Sequence, residues 1–411
     1  MTVRDGTFGS RILELADALA RHSESSAELT CTYLTPAHRA AAADLKAWMA
    51  AAGMETQIDA VGNVVGRIAA DNPGAKTLIV GSHYDTVRNA GKYDGRLGIL
   101  LALTVVEHLQ QNGRKLPFHL ELIAFSEEEG VRFDAAYIGS SAVAGRFEPD
   151  YLQRRDADGI SMRETMQLAG LDPDAIPKLG RRRDDLLVYL EVHIEQGPAL
   201  LAANHPVGVV TAIAGNVRWL LIIDGVAGHS GTVPMALRHD AAAAAAEIML
   251  FVERHCASRP GTLGTVGQLA VPNGAINVIP GRCTLSIDLR ARDNKLLERL
   301  AAETSAEIER IAKSRGVRIE VKEVMRMPAV VCAERLQTLL ADAIARLGLP
   351  AHALMSGAGH DAVMFDGITD VGMLFVRCGN GGVSHSPLET VTAEDADVAA
   401  RVLLEAMQNL R

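Results

Sequence analysis

The sequence lacks the features that would commit it to a membrane, a nucleic acid or a disulfide scaffold. No stretch approaches the roughly 18 consecutive apolar residues that a spanning helix needs. The opening Met1-Thr2-Val3-Arg4-Asp5-Gly6 carries no apolar signal-peptide core. Basic blocks are missing as well. Lys and Arg total 41 against 50 Asp and Glu, for a net charge of -9. The short run Arg181-Arg182-Arg183 is followed at once by Asp184-Asp185, so the clustered positive charge that nucleic acid requires is excluded. The five cysteines, Cys31, Cys256, Cys283, Cys332 and Cys378, are odd in number, widely spaced and never in a C-x-x-C pair. That excludes a disulfide framework and a thiolate metal site, and it fits a reducing compartment. A cytoplasmic protein without membrane or nucleic-acid partners is expected.

What is present is an ordinary globular composition, 48% hydrophobic and 22% charged, spread over 411 residues. That length exceeds one typical core, so two domains are expected. Ile12, Leu15, Ala16 and Leu19 recur at helical spacing after Ser10, a candidate cap. A second helix is predicted over 36–52, strands over 57–68, 77–81 and 118–125, a buried helix over 97–110, and a strand over 187–193. Strands alternating with helices predict an α/β layer with a mostly parallel mixed sheet. Residues 148–185 read as helical pieces in a long connection.

The stretch 215–327 reads differently. Strands over 218–226, 262–271, 282–292 and 317–324, with helices over 239–255 and 294–315, give the order β-α-β-β-α-β of a ferredoxin-like unit. Such a unit closes on itself and can be inserted into another domain. The expected domains are therefore 1–214 with 328–411, interrupted by 215–327. A helix over 334–347, a strand over 371–376 and a final helix from Thr392 resume the first domain.

Chemistry-bearing residues fall at the ends of the apolar strands. His83 and Asp85 follow Leu78-Ile79-Val80-Gly81-Ser82, where a parallel strand points side chains into the ligand crevice. His83 is a candidate ligand, and Asp85 a candidate acceptor for its other ring N–H. Asp94 sits in a Gly-flanked turn, where a capping role is the plainer alternative. Glu127-Glu128-Glu129 place three repelling carboxylates after an apolar strand. A nearby cation would make that cluster favourable, with one carboxylate binding it and a neighbour left as a base. His193 and His385 also follow strands. Each residue alone has an ordinary loop explanation. Together they are a nitrogen and oxygen donor set suited to Zn²⁺ or Mn²⁺.

The order of these blocks resembles the M20-type metallohydrolases, in the hydantoinase/carbamoylase branch that contains allantoate amidohydrolases and N-carbamoyl-L-amino-acid hydrolases. The matching segments include Gly81-Ser82-His83-x-Asp85, Gly91-Lys92-Tyr93-Asp94-Gly95, Glu127-Glu128-Glu129-Gly130-x-Arg132-Phe133 and His193-Ile194-Glu195-Gln196-Gly197-Pro198. They continue with Gly228-His229-Ser230-Gly231-Thr232, Asn277-Val278-Ile279-Pro280-Gly281, Asp288-x-Arg290 and Ser356-Gly357-Ala358-Gly359-His360-Asp361-Ala362. The resemblance implies a zinc-exopeptidase-like catalytic domain with an inserted dimerisation or lid domain. It implies two divalent ions per subunit, Zn or Mn, with Asp94 bridging them. His83 and His193 would complete one position, Glu129 and His385 the other, and Glu128 would be the general base. Gln196, His229, Asn277, Arg290 and the backbone of Gly359 would contact substrate. A homodimer is implied, with His229 reaching the partner's active site.

From the residues themselves, Arg290 shares a strand face with Thr284, Ser286 and Asp288. It could anchor a substrate carboxylate bidentately, or pair with Asp288 instead. A hinge near Ala214-Gly215 and Met327-Pro328 would let the two domains close on substrate. The segments around Asp94 and His385 look most like allantoate enzymes, giving ureidoglycine, ammonia and carbon dioxide. An N-carbamoyl-L-amino-acid hydrolase or β-ureidopropionase is the alternative, and a catalytically silent metal-binding homologue a remote one.

Overall fold

A computed structural model describes residues 8–411; the signal-peptide reading of residues 1–6 lies outside them. The chain forms two compact units. One comprises the residues up to Thr211, Cys332–Leu354 and Gly359–Arg411; the other comprises Ala212–Val331 and Met355–Ala358.

The first unit begins with α1 (Phe8–Leu19), α2 (Pro36–Ala51), β1 (Glu55–Ile58), β2 (Val64–Ile68), β3 (Thr77–His83), α3 (Arg96–Gln111) and β4 (His119–Phe125). Ser10 is not the cap of α1. It lies inside the helix, and the Phe8 N–H is met by Asp397 Oδ1 at 3.0 Å from the far end of the chain. The expected strand over 57–68 is two antiparallel strands. Asp59 Oδ1 accepts the N–H groups of Val61 and Asn63 at 3.0 and 2.9 Å, turning the chain between them. The connection over 148–185 contains α5 (Met162–Leu168), preceded by α4 (Ile138–Val143); Ser161 and Glu164 form a capping box at the start of α5. Next come β5 (Leu186–Ile194), α6 (Ala199–Ala203) and β6 (Val207–Ile213).

The second unit contains β7 (Gly215–Asp224), β8 (Gly228–His229), α7 (Ala241–Ala257), β9 (Thr262–Thr265), β10 (Leu269–Ala270), β11 (Val278–Ile279), β12 (Arg282–Ala291), α8 (Asn294–Arg315), β13 (Arg318–Met327) and β14 (Val330–Val331). Helix α7 starts two residues later than the sequence suggests, because Asp240 caps it through the N–H groups of Ala242 and Ala243. Strands β9 and β10 both pair with β12. Numbering β7, β9/β10, β12 and β13 as one to four, the order across the sheet is 4-1-3-2. The first and last strands are therefore neighbours, as a unit that closes on itself requires. Along β12, Cys283, Leu285, Ile287 and Leu289 are buried with Val217, Leu221, Ile248 and Leu300. Arg290 thus sits on the other, half-exposed face.

The chain returns through α9 (Glu334–Arg346), β15 (Ala353–Ser356), β16 (Val371–Val376) and α10 (Ala393–Asn409), which Thr392 caps. The sheet order of the first unit is β1-β2-β4-β3-β5-β16-β6. It is the expected mixed sheet, with its parallel strands in the middle. The four middle strands are parallel, while β2 and β6 run antiparallel at their flanks. The parallel block brings the carboxyl ends of β3, β4, β5 and β16 to one edge. Helix α3 is buried along almost its whole length. Its approach to β5 depends on Gly98, where a Cβ would lie 1.9 Å from the Val192 carbonyl oxygen. That packing fixes the Asp94 turn, which immediately precedes α3, above the same edge. No described helix is long and apolar enough to cross a membrane.

His38, in the first turn of α2, is fully buried, stacks on Tyr84 with ring centroids 4.4 Å apart, and donates from Nε2 to the Ser126 carbonyl at 2.6 Å. Burial lowers its pKa from 6.5 to about 4, against the opposing pull of the Ser126 carbonyl. Its contribution to stability is therefore present above pH 6.5 and lost as the pH falls through about 4, worth roughly 3 kcal/mol. Asp59 acts in the other direction, because burial raises it to about 6. Urea midpoints at pH 7.5 and 4.5 should fall further on acidification for the wild type than for His38→Asn, a comparison in which the Asp59 contribution cancels.

Candidate metal centre

His83 is the last residue of β3 and His193 lies near the end of β5. Their Nε2 atoms are 3.5 Å apart. Asp94 Oδ1 lies 3.6 Å from His83 Nε2 and 3.3 Å from His193 Nε2. The other carboxylate oxygen, Oδ2, lies 3.2 Å from His385 Nε2, which is also 3.3 Å from Glu129 Oε1. Asp94 thus stands between two donor groups, His83 with His193 and Glu129 with His385. The structure brings together all five residues read from the sequence as ligands, and their donor atoms fall into clusters within 4.8 Å.

The turn carrying Asp94 has no room for a larger residue at Gly95. That glycine has φ +64°, and a Cβ there would lie 2.4 Å from the His83 ring. His193 Nδ1 donates to the Ile194 carbonyl at 2.9 Å. Its Nε2 lies 3.2 Å from the Gly95 backbone nitrogen and 3.3 Å from Asp94 Oδ1. Asp85 sits behind His83, with Oδ1 3.3 Å from Nδ1, and also receives the backbone N–H groups of Glu128 and Glu129 at 3.1 and 3.3 Å. One buried carboxylate therefore fixes both the His83 ring and the acidic loop. His38, through the Ser126 carbonyl, holds the start of that loop.

The electrostatics fit a cation. Asp94 Oδ1 is buried and has no hydrogen-bond partner among the described residues, a costly state for a carboxylate oxygen. Burial alone would raise Asp94, but the imidazoles of His193, His385 and His83 outweigh it and hold the carboxyl well below its usual range. His385 is pushed up to about 10 by Asp94 and then Glu129. Burial, then Glu129, pushes the Glu128 carboxyl well above the usual carboxylate range. Positive charge is what these groups lack, and the donors are nitrogen and carboxylate oxygen, which suit Zn²⁺ or Mn²⁺. His385 and Gln196 both occupy left-handed backbone, with φ of 52° and 56°, a strain that concentrates at functional sites.

The residues read as substrate contacts fall in different settings. Gln196 Nε2 donates to Asp94 Oδ2 at 2.8 Å and lies 3.3 Å from His385 Nε2, so it faces the candidate ligand cluster. At Gly359 a Cβ would lie 2.0 Å from the Tyr137 hydroxyl oxygen, so that backbone is kept bare. In the second unit, His229 and Asn277 are brought together. Strand β8 pairs with β11, and Ser230 N–H donates to the Asn277 carbonyl at 3.0 Å. Arg290 takes the alternative pairing. Its Nε and Nη2 bind Asp288 at 3.0 and 2.9 Å, Nη1 donates to the Gly357 carbonyl, and Arg218 also reaches Asp288 at 2.9 Å.

Sequence reasoning missed Glu191, Tyr137, Ser384 and Glu389. Glu191 is buried and receives Ser82 Oγ, Tyr189 OH and the Ala362 N–H. Its signal was its position two residues before His193 on the same strand face. His360 packs edge-on against His193, with centroids 4.5 Å apart. It occupies the residue before a short 3-10 turn.

The chain belongs to the peptidase family M20/M25/M40, whose model matches residues 79–409. Among its relatives, an N-carbamoyl-L-amino acid amidohydrolase of Geobacillus stearothermophilus is 41% identical, covering 97% of each chain. Allantoate deiminase 1 of Glycine max is 37% identical, covering 95% of this chain and 87% of that one. A solved hydantoinase/carbamoylase family amidase from Burkholderia multivorans superposes with TM-score 0.92 at 31% identity, covering 98% and 97% of the two chains.

Proposed function

We propose that this chain hydrolyses a ureido C–N bond in a small carboxylate substrate, with allantoate as that substrate. The observation that carries the reading is the buried Asp94 carboxylate, its Oδ1 without a hydrogen-bond partner among the described residues, set between His83 with His193 on one side and Glu129 with His385 on the other. Those five residues would hold two divalent ions, Zn or Mn. Such ions supply electrophilic charge for the carbonyl and activate water at neutral pH.

The protein's own groups do the rest. Glu128 takes the proton of the attacking water, for which its raised affinity for protons suits it. It then delivers that proton to the leaving nitrogen. Asp85 keeps the His83 ring and the Glu128 backbone in register. Water adds to the ureido carbonyl and the C–N bond breaks, yielding ureidoglycine and a carbamate that decays to ammonia and carbon dioxide. The reading assigns recognition of the polar substrate to Gln196, the Gly359 backbone, Asn277 and Arg290. It assigns His229, which is exposed, to the active site of a second copy in a homodimer. The five free, buried cysteines support a reducing, cytoplasmic setting.

An N-carbamoyl-L-amino acid is the second reading, favoured by the 41% identical Geobacillus relative. Both substrate classes pair a ureido group with a carboxylate. The discriminating assay measures ammonia release from allantoate, N-carbamoyl-alanine and N-carbamoyl-β-alanine in parallel, on protein reconstituted with Mn²⁺ or Zn²⁺. Allantoate is expected to give the highest kcat/KM. Preference for a carbamoyl amino acid would replace the first reading by the second, and no turnover of any ureido compound would favour a silent metal-binding homologue.

A further inference from the structure

Glu389 lies four residues beyond His385 and is buried. Its Oε1 accepts the backbone N–H groups of Tyr93 and Asp94 at 2.8 and 3.1 Å. Its Oε2 lies 3.0 Å from Ser384 Oγ, and that hydroxyl is also 2.8 Å from Asp94 Oδ2. One carboxylate therefore grips the backbone of the turn that presents Asp94. Through the residue next to His385, it also meets the Asp94 side chain. The turn is shaped around it: a Cβ on Gly91 would lie 2.3 Å from Glu389 Oε1. The two segments tied in this way are 295 residues apart in sequence, and each contributes a ligand to the same side of the cluster, Asp94 Oδ2 and His385 Nε2.

We propose that Glu389, acting with Ser384, is a positioning residue that sets the spacing of Asp94 and His385 and so defines the metal position they share with Glu129. Glu389 does not coordinate the ion in this scheme. It fixes the Asp94 turn from behind, and the Ser384 hydroxyl orients the carboxylate oxygen that faces His385. The inference rests on the two-metal reading of the cluster. It predicts a larger defect at the position shared with Glu129 and His385, because Ser384 meets Asp94 only at Oδ2, while loosening of the turn reaches His83 and His193 only through Asp94 Oδ1 and Gly95. Removing a partner that orients a ligand typically weakens metal binding about 10- to 100-fold.

The test uses the full chain, stripped of metal and titrated with Zn²⁺ or Mn²⁺ alone against a competing chromophoric chelator. Melting curves are recorded in parallel. Glu389→Ala should weaken one of two equivalents by about tenfold or more and the other by clearly less; an equal loss of both would overturn the inference. Turnover should fall through kcat with KM held. Glu389→Gln keeps an acceptor oxygen for the two backbone N–H groups and should lie closer to wild type. Ser384→Ala, which leaves the backbone grip intact, should weaken the same equivalent, and it carries the test should Glu389→Ala fail to fold. Wild-type affinity for both equivalents in Glu389→Ala and Ser384→Ala would overturn the inference, even with a lowered melting temperature, since that pattern is purely structural. A wild-type chain that binds no metal would overturn the two-metal reading as well.

Discussion

Replacing Glu128 by Gln should cut kcat for ureido hydrolysis by about 10²–10⁴-fold, the usual contribution of a positioned acid–base group, while metal content and KM stay at wild-type values. The amide matches the carboxylate in size but cannot accept a proton. Glu128 is placed for this role because its carboxylate lies in one group of donor atoms with His83 and Glu129. Glu129, not Glu128, is the acidic residue 3.3 Å from His385. The Glu128 backbone is pinned to Asp85, so the substitution leaves the loop in place. A loss in kcat alone marks an interaction made in the transition state. Retention of full ammonia release by Glu128→Gln would remove Glu128 from the mechanism.

Asp94→Asn should have the second large effect, and of a different kind. Both carboxylate oxygens face imidazoles, Oδ1 toward His83 and His193 and Oδ2 toward His385. Removing the charge therefore disturbs both donor groups at once. Metal affinity should drop more than about 100-fold, beyond the range expected for a residue that only orients a ligand. Activity should vanish with it and return only at high metal concentration. Equilibrium metal titration of the purified variant checks this. The contrast is diagnostic: Glu128→Gln binds metal and does not turn over, whereas Asp94→Asn fails at binding.

The sequence revealed the strand-end histidines and the acidic run because these signals are local. Apolar strands such as Leu78–Gly81 stop where the polar residue begins, and the periodicity alone locates the edge. It did not reveal β6, whose apolar run passes into the second unit at Ala212 without a turn signal. The antiparallel flanks of the sheet were also hidden, because pairing partners are non-local. Arg290 shows the same limit. Its neighbour Asp288 is two residues away and was visible as a partner. Arg218, which faces Asp288 across the β7–β12 pair, was not. The charge on Asp288 is thus shared by two guanidiniums, which no reading of one strand could show. Gln196 and Glu389 converge on Asp94 across 102 and 295 residues of sequence. Their roles came only from the folded turn. The partner of the first N–H of α1, Asp397, was hidden for the same reason, since the side chain that satisfies the first N–H groups need not be the nearest polar residue; Asp240, the cap of α7, was a local signal.

Counting metal on the wild-type chain tests the central reading most directly. Protein stripped with a chelator is titrated with Mn²⁺ or Zn²⁺ while bound metal and ammonia release from allantoate are followed together. Two equivalents per chain should bind, and activity, absent from the stripped protein, should rise with occupancy. Equal ammonia release before and after stripping, or no bound metal at saturation, would contradict a two-metal ureido hydrolase built on Asp94.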